Sequence, residues 1–310
     1  DDLSGDGLAD LLVGSYGWDT TDPESGASLP RAGKVEVYDR EGNVILALIG
    51  AFNKGHLGES LKGVGDYNGD GWADILTGAG QDRVDGSQRG IAYLISGATG
   101  EVLALNEGER NGDFWGSVVG VLGDVHGDSR AELLVASGMT DGESTKDQGR
   151  VKVMSGDWSK AVGAAWGPKK DDHFGRAVAG LNVVNSSHVV GFVAGVPDAD
   201  PGNVNKAGTV RIHDWKGGLV SEFVEPVPSV QAKFGTAVAA AEVVVGASVV
   251  AAAAGRKDAL FFVVGGLLGA AAYMMTYPMW KASGLLDPIW GGKVTLGLVP
   301  GSGYDAVTGL

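Results

Sequence analysis

The chain repeats a short pattern at a nearly constant interval: an aromatic residue or leucine followed directly by glycine. The pairs are Leu57-Gly58, Trp115-Gly116, Phe174-Gly175, Phe234-Gly235 and Trp290-Gly291. Successive glycines of these pairs lie 58, 59, 60 and 56 residues apart. A second glycine follows each pair, at Gly78, Gly138, Gly195, Gly255 and Gly309. A fixed period is typical of repeat proteins, in which each unit buries its faces against its neighbours.

Each period contains short runs that are typical of β-strands. Lys34-Val-Glu-Val-Tyr38 alternates polar with apolar residues, which is the pattern of a half-buried strand. Second strands are expected at runs such as Ala73–Gly78 and Ala131–Ala136. Third strands are expected at Lys34–Tyr38, Ile91–Ile95, Arg150–Met154 and Thr209–His213. Fourth strands are expected at Val44–Leu48, Val102–Leu105, Ala161–Ala165 and Leu219–Phe223. Four antiparallel strands per period predict an all-β fold, a β-propeller of four-stranded blades.

The repeat units form one predicted domain. Their approximate bounds are 1–50, 51–108, 109–167, 168–227, 228–283 and 284–310. The first unit lacks its first strand, the fifth is degenerate and the last is partial. If Trp290–Val299 supplied the missing strand, a ring of five blades would close; a segment of a longer propeller is the alternative. A linear β-solenoid is a competing interpretation, although solenoid coils are usually shorter than these units.

Two nine-residue loops carry oxygen side chains at positions 1, 3, 5 and 9, with glycine at the turn. This spacing folds around one Ca²⁺, and the backbone carbonyl of position 7 completes the shell. The predicted ligands of loop one are Asp2, Ser4, Asp6, the carbonyl of Leu8, and Asp10. Those of loop two are Asp66, Asn68, Asp70, the carbonyl of Trp72, and Asp74. The alternative is a metal-free turn in which the side chains cap backbone amides.

A third copy of this loop is weaker. Its candidate ligands are Asp124, Asp128, the carbonyl of Arg130, and Glu132. His126 replaces an oxygen ligand and Ser129 replaces the turn glycine. Imidazole is a poor partner for a hard cation, so we expect weak or absent binding in this loop.

Other residues are interpreted structurally. Polar loops of variable length separate strands two and three, and Asp198 and Asp200 are expected to be solvated there. His56 and His173 both lie two residues before the glycine of a repeated pair, which indicates a turn or packing role. The aromatic residues of the pairs are expected to form the core between blades, at Trp115, Phe174, Phe234 and Trp290.

Composition narrows the function. A net charge of −14 repels nucleic acid and anionic lipid and attracts divalent cations. The absence of cysteine excludes disulfides and thiolate sites. None of the catalytic motifs GxSxG, P-loop or HExxH occurs, so we predict a protein that is not an enzyme. The adhesion motif RGD does not occur either. The chain begins at Asp1, inside a motif and without Met or a signal peptide, and we expect a fragment or a processed chain.

The apolar segment Ala259–Trp280 has two interpretations. Its twenty-two residues without a charge are long enough for a membrane helix. Alternatively, Ala259–Val264 and Leu267–Tyr273 are strands three and four of the fifth unit, joined at Gly265-Gly266. The repeat period continues on both sides of the segment, which favours the strands.

With these features, the chain resembles the FG-GAP repeat family, the propeller of integrin α-subunit heads and of many bacterial surface proteins. The resemblance rests on the aromatic-Gly step at Phe174-Gly175, the calcium loop Asp66–Asp74, and loosely on Gly195-Val-Pro197. Family propellers generally have seven blades, so five to seven are expected, or a fragment of a seven-bladed ring.

The resemblance implies an extracellular or cell-surface protein in which calcium is structural. It also implies cell adhesion, or recognition of a protein or glycan ligand, as the function. The alternatives are an accessory propeller of a secreted hydrolase or lyase, and a surface protein anchored in the membrane through residues 259–280.

Overall fold

The computed structural model describes residues 2–181, 190–243, 247–253, 259–265 and 271–276, and beyond residue 239 it describes the backbone alone. These residues form a series of antiparallel sheets, one for each period of the sequence. The propeller-blade fold class predicted from the repeats is confirmed.

Blade one has three strands instead of four. Its strands are β1 (Leu11–Gly14), β4 (Lys34–Tyr38) and β5 (Val44–Ile49), in that order across the sheet. Two short strands, β2 (Thr20–Thr21) and β3 (Ser28–Leu29), pair within the loop between β1 and β4.

Blades two to four each have four strands. Blade two consists of β6 (Ser60–Gly63), β7 (Ile75–Ala79), β10 (Ile91–Ile95) and β11 (Val102–Glu107), with β8 (Arg83–Val84) and β9 (Ser87–Gln88) in its loop. Blade three consists of β12 (Val118–Gly123), β13 (Glu132–Ser137), β14 (Arg150–Met154) and β15 (Ala161–Trp166). Blade four consists of β16 (Val178–Leu181), β17 (Gly191–Val196), β18 (Thr209–Asp214) and β19 (Leu219–Val224), with a short 3-10 helix at Pro201–Asn203.

The apolar segment of the fifth unit forms strands. Blade five consists of β20 (Ala237–Val243), β21 (Ala247–Ala253), β22 (Ala259–Gly265) and β23 (Ala271–Thr276), and β22 pairs with β23 in antiparallel register. The predicted strand Ala259–Val264 is therefore confirmed, and a helix over the described residues 259–265 and 271–276 is wrong. Of the second predicted strand, Leu267–Tyr273, the structure describes residues 271–273, which are in β23, and this strand continues to Thr276. Of the predicted turn at Gly265-Gly266, only Gly265 is among the described residues. The stretch Trp290–Val299 lies outside them. No helix in the described part of the chain is long and apolar enough to cross a membrane.

The first strands of blades two to five lie next to each other, since β12 contacts β6 and β16, and β16 contacts β20. β6 also contacts β1, the second strand of blade one. The aromatic residues of the repeated pairs fill the seams between blades, because Trp115, Phe174 and Phe234 are each at most 2% exposed. Trp115 packs with Leu76 of blade two and Leu133 of blade three. The prediction that these aromatic residues form the core between blades is confirmed, and Trp290 lies outside the described residues.

Backbone contacts between glycines set the spacing of the blades. A Cβ atom on Gly78 would lie 1.8 Å from the carbonyl oxygen of Gly116 in the next blade, and one on Gly195 would lie 1.8 Å from that of Gly235. In blade three the equivalent residue is Ala136, because Val118 pairs with Ala136 as Ser60 pairs with Gly78. The alignment of Gly138 with Gly78 is therefore wrong by two residues.

Candidate calcium-binding loops

The three acidic loops occupy the same place in successive blades. Loop two (Asp66–Asp74) connects β6 to β7, and loop three (Asp124–Glu132) connects β12 to β13. Loop one (Asp2–Asp10) leads into β1, the second strand of its blade. Turns between strands one and two therefore bring all the predicted ligands to one end of neighbouring blades.

All three loops have the same backbone conformation. Positions 4 and 6 have positive φ in each: Gly5 (76°) and Gly7 (85°), Gly69 (82°) and Gly71 (92°), and Gly127 (75°) and Ser129 (67°). Glycine adopts this conformation without steric cost, whereas serine does not. Loop three keeps the shared fold even though its residue at position 6 is strained.

The carboxylate at position 1 organises each turn. In loop two, Asp66 Oδ1 accepts hydrogen bonds from the amides of Gly69 (2.6 Å) and Asp70 (3.1 Å), and Oδ2 accepts one from Gly71 (2.8 Å). Asp2 and Asp124 accept the equivalent bonds in their own loops. The hydrogen bond from Gly7, with those from the other amides, lowers the pKa of Asp2.

The acid at position 9 closes each loop from the inside. Asp74 is fully buried, and it accepts hydrogen bonds from the amides of Tyr67 (2.8 Å), Asn68 (3.2 Å) and Gly97 (3.1 Å). Asp10 accepts bonds of 2.7 Å from the amides of Leu3 and Ser4. Burial raises the pKa of Asp74, because removing a carboxylate from water disfavours its charged form.

Loop three differs in the partner of its position-9 acid. Glu132 is fully buried, and its Oε2 accepts the amide of Val125 at 2.7 Å. Its Oε1 lies 2.5 Å from Nδ1 of His126, the residue that replaces an oxygen ligand. The imidazole also packs edge-on against Trp215 of blade four, with ring centroids 5.0 Å apart. The His126 side chain is thus in contact with the carboxylate oxygen of Glu132 that would otherwise be a ligand of the cation.

The donor chemistry of loops one and two fits calcium. Their side chains present only hard carboxylate, hydroxyl and amide groups at the four ligand positions, which are the donors Ca²⁺ prefers. In loop two, Asn68 Nδ2 donates to Asp70 Oδ2 at 2.8 Å, so positions 3 and 5 are already in contact. Within the described residues, however, no three acidic or histidine side chains form a ready-made metal cluster. The carboxylates are turned onto backbone amides, as in the capped-turn alternative, and the predicted ligand sets stay predictions.

Neighbouring loops are linked in series, which sequence reasoning did not find. The carbonyl oxygen of Asp2 in loop one accepts the amide of Ala73 in loop two at 3.1 Å. The indole ring of Trp72 lies so close to Gly5 that a Cβ there would be 2.9 Å from Nε1. The hydroxyl of Tyr67 in turn donates to the carbonyl of Ala131 in loop three. The loops therefore connect blade one to blade two and blade two to blade three.

The two repeated histidines are turn residues, as predicted. His56 and His173 have φ of 64° and 57°. His56 Nδ1 bonds to Gln81 Nε2 at 2.9 Å, and His173 Nδ1 lies 2.6 Å from Asp198 Oδ2.

The expectation that Asp198 is solvated is wrong. Its side chain is 9% exposed and also pairs with Lys206 (3.4 Å) and Lys233 (3.2 Å). Three basic partners converge on this carboxylate at the seam between blades, which no local pattern in the sequence indicated.

Four-stranded blades stacked through glycine contacts, with an acidic loop between the first and second strands, define a β-propeller repeat protein. Residues 63–95 match the model of the FG-GAP repeat. These residues contain loop two and the strands β7 and β10, and they begin at Gly63, the last residue of β6. This match supports the assignment to the FG-GAP repeat family that the resemblance indicated.

A curated relative supports this assignment. Over 104 residues the chain is 33% identical to Integrin alpha-PS2 of Drosophila melanogaster. The match covers 31% of this chain and 7% of that integrin subunit. The chain therefore spans only a small part of that relative's length, and the activity of the whole relative does not transfer to it.

Proposed function

We propose that this chain is a calcium-stabilised, non-enzymatic propeller segment of an extracellular or cell-surface protein, which serves adhesion by recognising a protein or glycan. The observation that carries the proposal is the serial linkage of the acidic loops across successive blades. The similarity to an integrin α-subunit supports a surface location and an adhesive role. The net charge of −14 supports cation binding and disfavours nucleic acid as a partner.

In this proposal, loops one and two each hold one Ca²⁺. Asp2, Ser4, Asp6 and Asp10 would bind it in loop one, and Asp66, Asn68, Asp70 and Asp74 in loop two, with the carbonyls of Leu8 and Trp72. The ion would offset the repulsion among acids that lie within nine residues of one another. It would also stiffen the connections from blade one to blade two and from blade two to blade three, so its role is structural.

Thermal unfolding with and without calcium tests the metal. A ligand present at 100 times its Kd stabilises a native state by about 2.7 kcal/mol. With a melting-temperature shift of about 2–4 °C per kcal/mol for a large domain, chelation should lower Tm by roughly 5–10 °C. Identical melting curves in calcium and in chelator would remove the metal from the proposal.

A matched pair of variants assigns the effect to loop two. Asp70→Ala and Asp128→Ala remove the acid at position 5 of loops two and three. Both lose the same turn contact, because Asp70 accepts the amide of Trp72 at 2.9 Å and Asp128 that of Arg130 at 3.0 Å. Only Asp70→Ala should reduce the calcium-dependent shift in Tm. An equal reduction in both variants would contradict the division between the loops.

The adhesive role requires a binding measurement. Calcium-saturated chain should bind a defined set of immobilised matrix proteins or glycans, and chelation should weaken the binding. Turnover of one of these glycans or proteins by the purified chain would instead contradict the non-enzymatic role.

A further inference from the structure

A small cavity lies between blades one and two, away from the acidic loops. Its volume is about 170 Å³. Leu48 and Ile49 of β5 line it on one side, and Tyr93, Ile95 and Val102 of blade two line it on the other. The remaining polar residue of the lining is Asp82, which follows β7. The cavity therefore combines apolar walls with one carboxyl group.

The carboxyl group of Asp82 has few partners for its degree of burial. The residue is 4% exposed, and the hydroxyl of Tyr93 donates to Oδ2 at 2.6 Å. Within the described residues this hydroxyl is its one hydrogen-bond donor, and Oδ1 lies against the backbone of Gly55. Burial raises the pKa of Asp82 to about 6 in spite of the Tyr93 bond. A carboxylate in such a site needs a charged or donating partner to offset its lost hydration.

The fold itself does not require an acid at this position. In each of blades one to four, the residue equivalent to Asp82 lies in the loop between the second and third strands. Its backbone carbonyl accepts a hydrogen bond from the amide of the glycine that precedes the third strand. Those residues are Trp18, Asp82, Thr140 and Ala199. A backbone contact thus fulfils the structural role, and the side chain is free to vary. The buried acid is a particular property of blade two.

We propose that this cavity binds a primary alkylammonium group, with the ammonium on Asp82 and the alkyl chain along Leu48, Ile95 and Val102. An ammonium group brings three donors and a positive charge to a carboxylate that has one donor. Methylene groups of a lysine or amine pack well on apolar walls while the charged end reaches a polar partner. The volume is similar to the ~150 Å³ cavity that holds benzene in an engineered protein core. A free amine and the lysine side chain of a bound protein present the same chemistry.

Calorimetric titration with n-butylammonium in saturating calcium tests the proposal. The native chain should bind it, and n-butanol, which has the same chain without the charge, should bind at least tenfold more weakly. Asp82→Asn should weaken n-butylammonium binding at least tenfold. Asp85→Asn is the matched control, because Asp85 is an exposed acid of the same loop whose φ of 50° suits asparagine. This control should bind as the native chain does.

Several outcomes would overturn the assignment. These are equal affinity in Asp82→Asn and the native chain, equal loss in Asp85→Asn, equal binding of n-butanol, or no binding of n-butylammonium at all. A circular dichroism melt of Asp82→Asn establishes that the variant is folded. Titration with N-acetyl-lysine amide separates the two sources: binding supports a lysine side chain of a partner, and binding of n-butylammonium alone supports a free amine.

Discussion

Replacing Gly78 with alanine perturbs the contact between two blades without altering any site. Gly78 lies in β7, and its Cα faces the carbonyl oxygen of Gly116 in blade three. An added Cβ would lie 1.8 Å from that oxygen and 2.9 Å from the carbonyl carbon. Its backbone does not have positive φ, so the cost is steric and not conformational.

The magnitude follows from what would have to move. Both atoms belong to strand backbones, and neither can rotate away as a side chain would, so the seam between the blades must open. Inserting a methyl group into a packed interior costs about 1–3 kcal/mol, and occasionally more. We expect a loss near 3 kcal/mol, which corresponds to a decrease in Tm of roughly 6–12 °C. Thermal unfolding followed by circular dichroism in saturating calcium measures it.

A second glycine provides the control. A Cβ on Gly17 would meet nothing within 4 Å, and Gly17 also lacks positive φ. Gly17→Ala should leave Tm unchanged or raise it slightly, because alanine restricts the unfolded chain. If Gly78→Ala melted within 1 °C of the native chain, the idea that glycine contacts set the blade spacing would be refuted.

Three further outcomes are expected from the contacts described above. Because burial raises the pKa of Asp82 to about 6, its carboxyl group binds a proton more tightly in the native state, and its contribution to stability should increase as pH falls from about 6 to about 4. Asp82→Asn should remove this contribution to the pH dependence and melt higher at pH 7.5. Phe174→Ala should cost about 3–5 kcal/mol in a denaturant titration, whereas Phe52→Ala, at a 39% exposed position, should cost less than about 0.5 kcal/mol. His126→Ala should leave the buried Glu132 short of a partner and lower stability by about 1–3 kcal/mol, and a loss that calcium reverses would contradict this.

The strands could be predicted because local pattern determines them. The third strands β4, β14 and β18 begin where the alternation of polar and apolar residues begins. The ends of the fourth strands were less accurate, and β11 continues to Glu107, two residues beyond the predicted Leu105. Glu107 pairs with Ile91 through the backbone ladder, and backbone hydrogen bonds do not depend on which side chain is present.

Register between blades could not be predicted from glycine positions alone. Gly138 follows its aromatic pair at nearly the expected distance, yet Ala136 faces the next blade. A Cβ on Gly175 would lie 3.4 Å from the Cβ of Ala136, an ordinary contact, so this seam accommodates a methyl group. At the seams that contain Gly78 and Gly195, a Cβ would lie 1.8 Å from a backbone oxygen of the next blade, so glycine is required there. The spacing of residues in the sequence does not reveal this distance between strand backbones.

Contacts between residues that are far apart in the chain could not be predicted from the sequence either. The loops could be located and their ligands named from nine-residue spacing, but Tyr67 and Ala131 are 64 positions apart. Asp198 looked solvated because its neighbours in sequence are polar. Lys206 lies in the same loop, but the other two basic partners come from other turns: His173 is 25 residues away and Lys233 is 35 residues away. A third set of glycines, Gly33, Gly90, Gly149 and Gly208, was overlooked, although it has the same period and positive φ throughout.

The three acidic loops share one turn, in which the carboxylate at position 1 accepts the same backbone amides. Loop three has the same amide contacts as loops one and two, and it bears a strained serine where they have glycine. Its buried Glu132 is held by a histidine that belongs to the chain, and that histidine also reaches blade four. A calcium ion in the other loops would therefore act on a backbone that carboxylate–amide bonds already shape. Its contribution would be to neutralise the acids and stiffen the contacts from blade to blade. In loop three the contact between His126 and the buried Glu132 would stiffen the loop in its place.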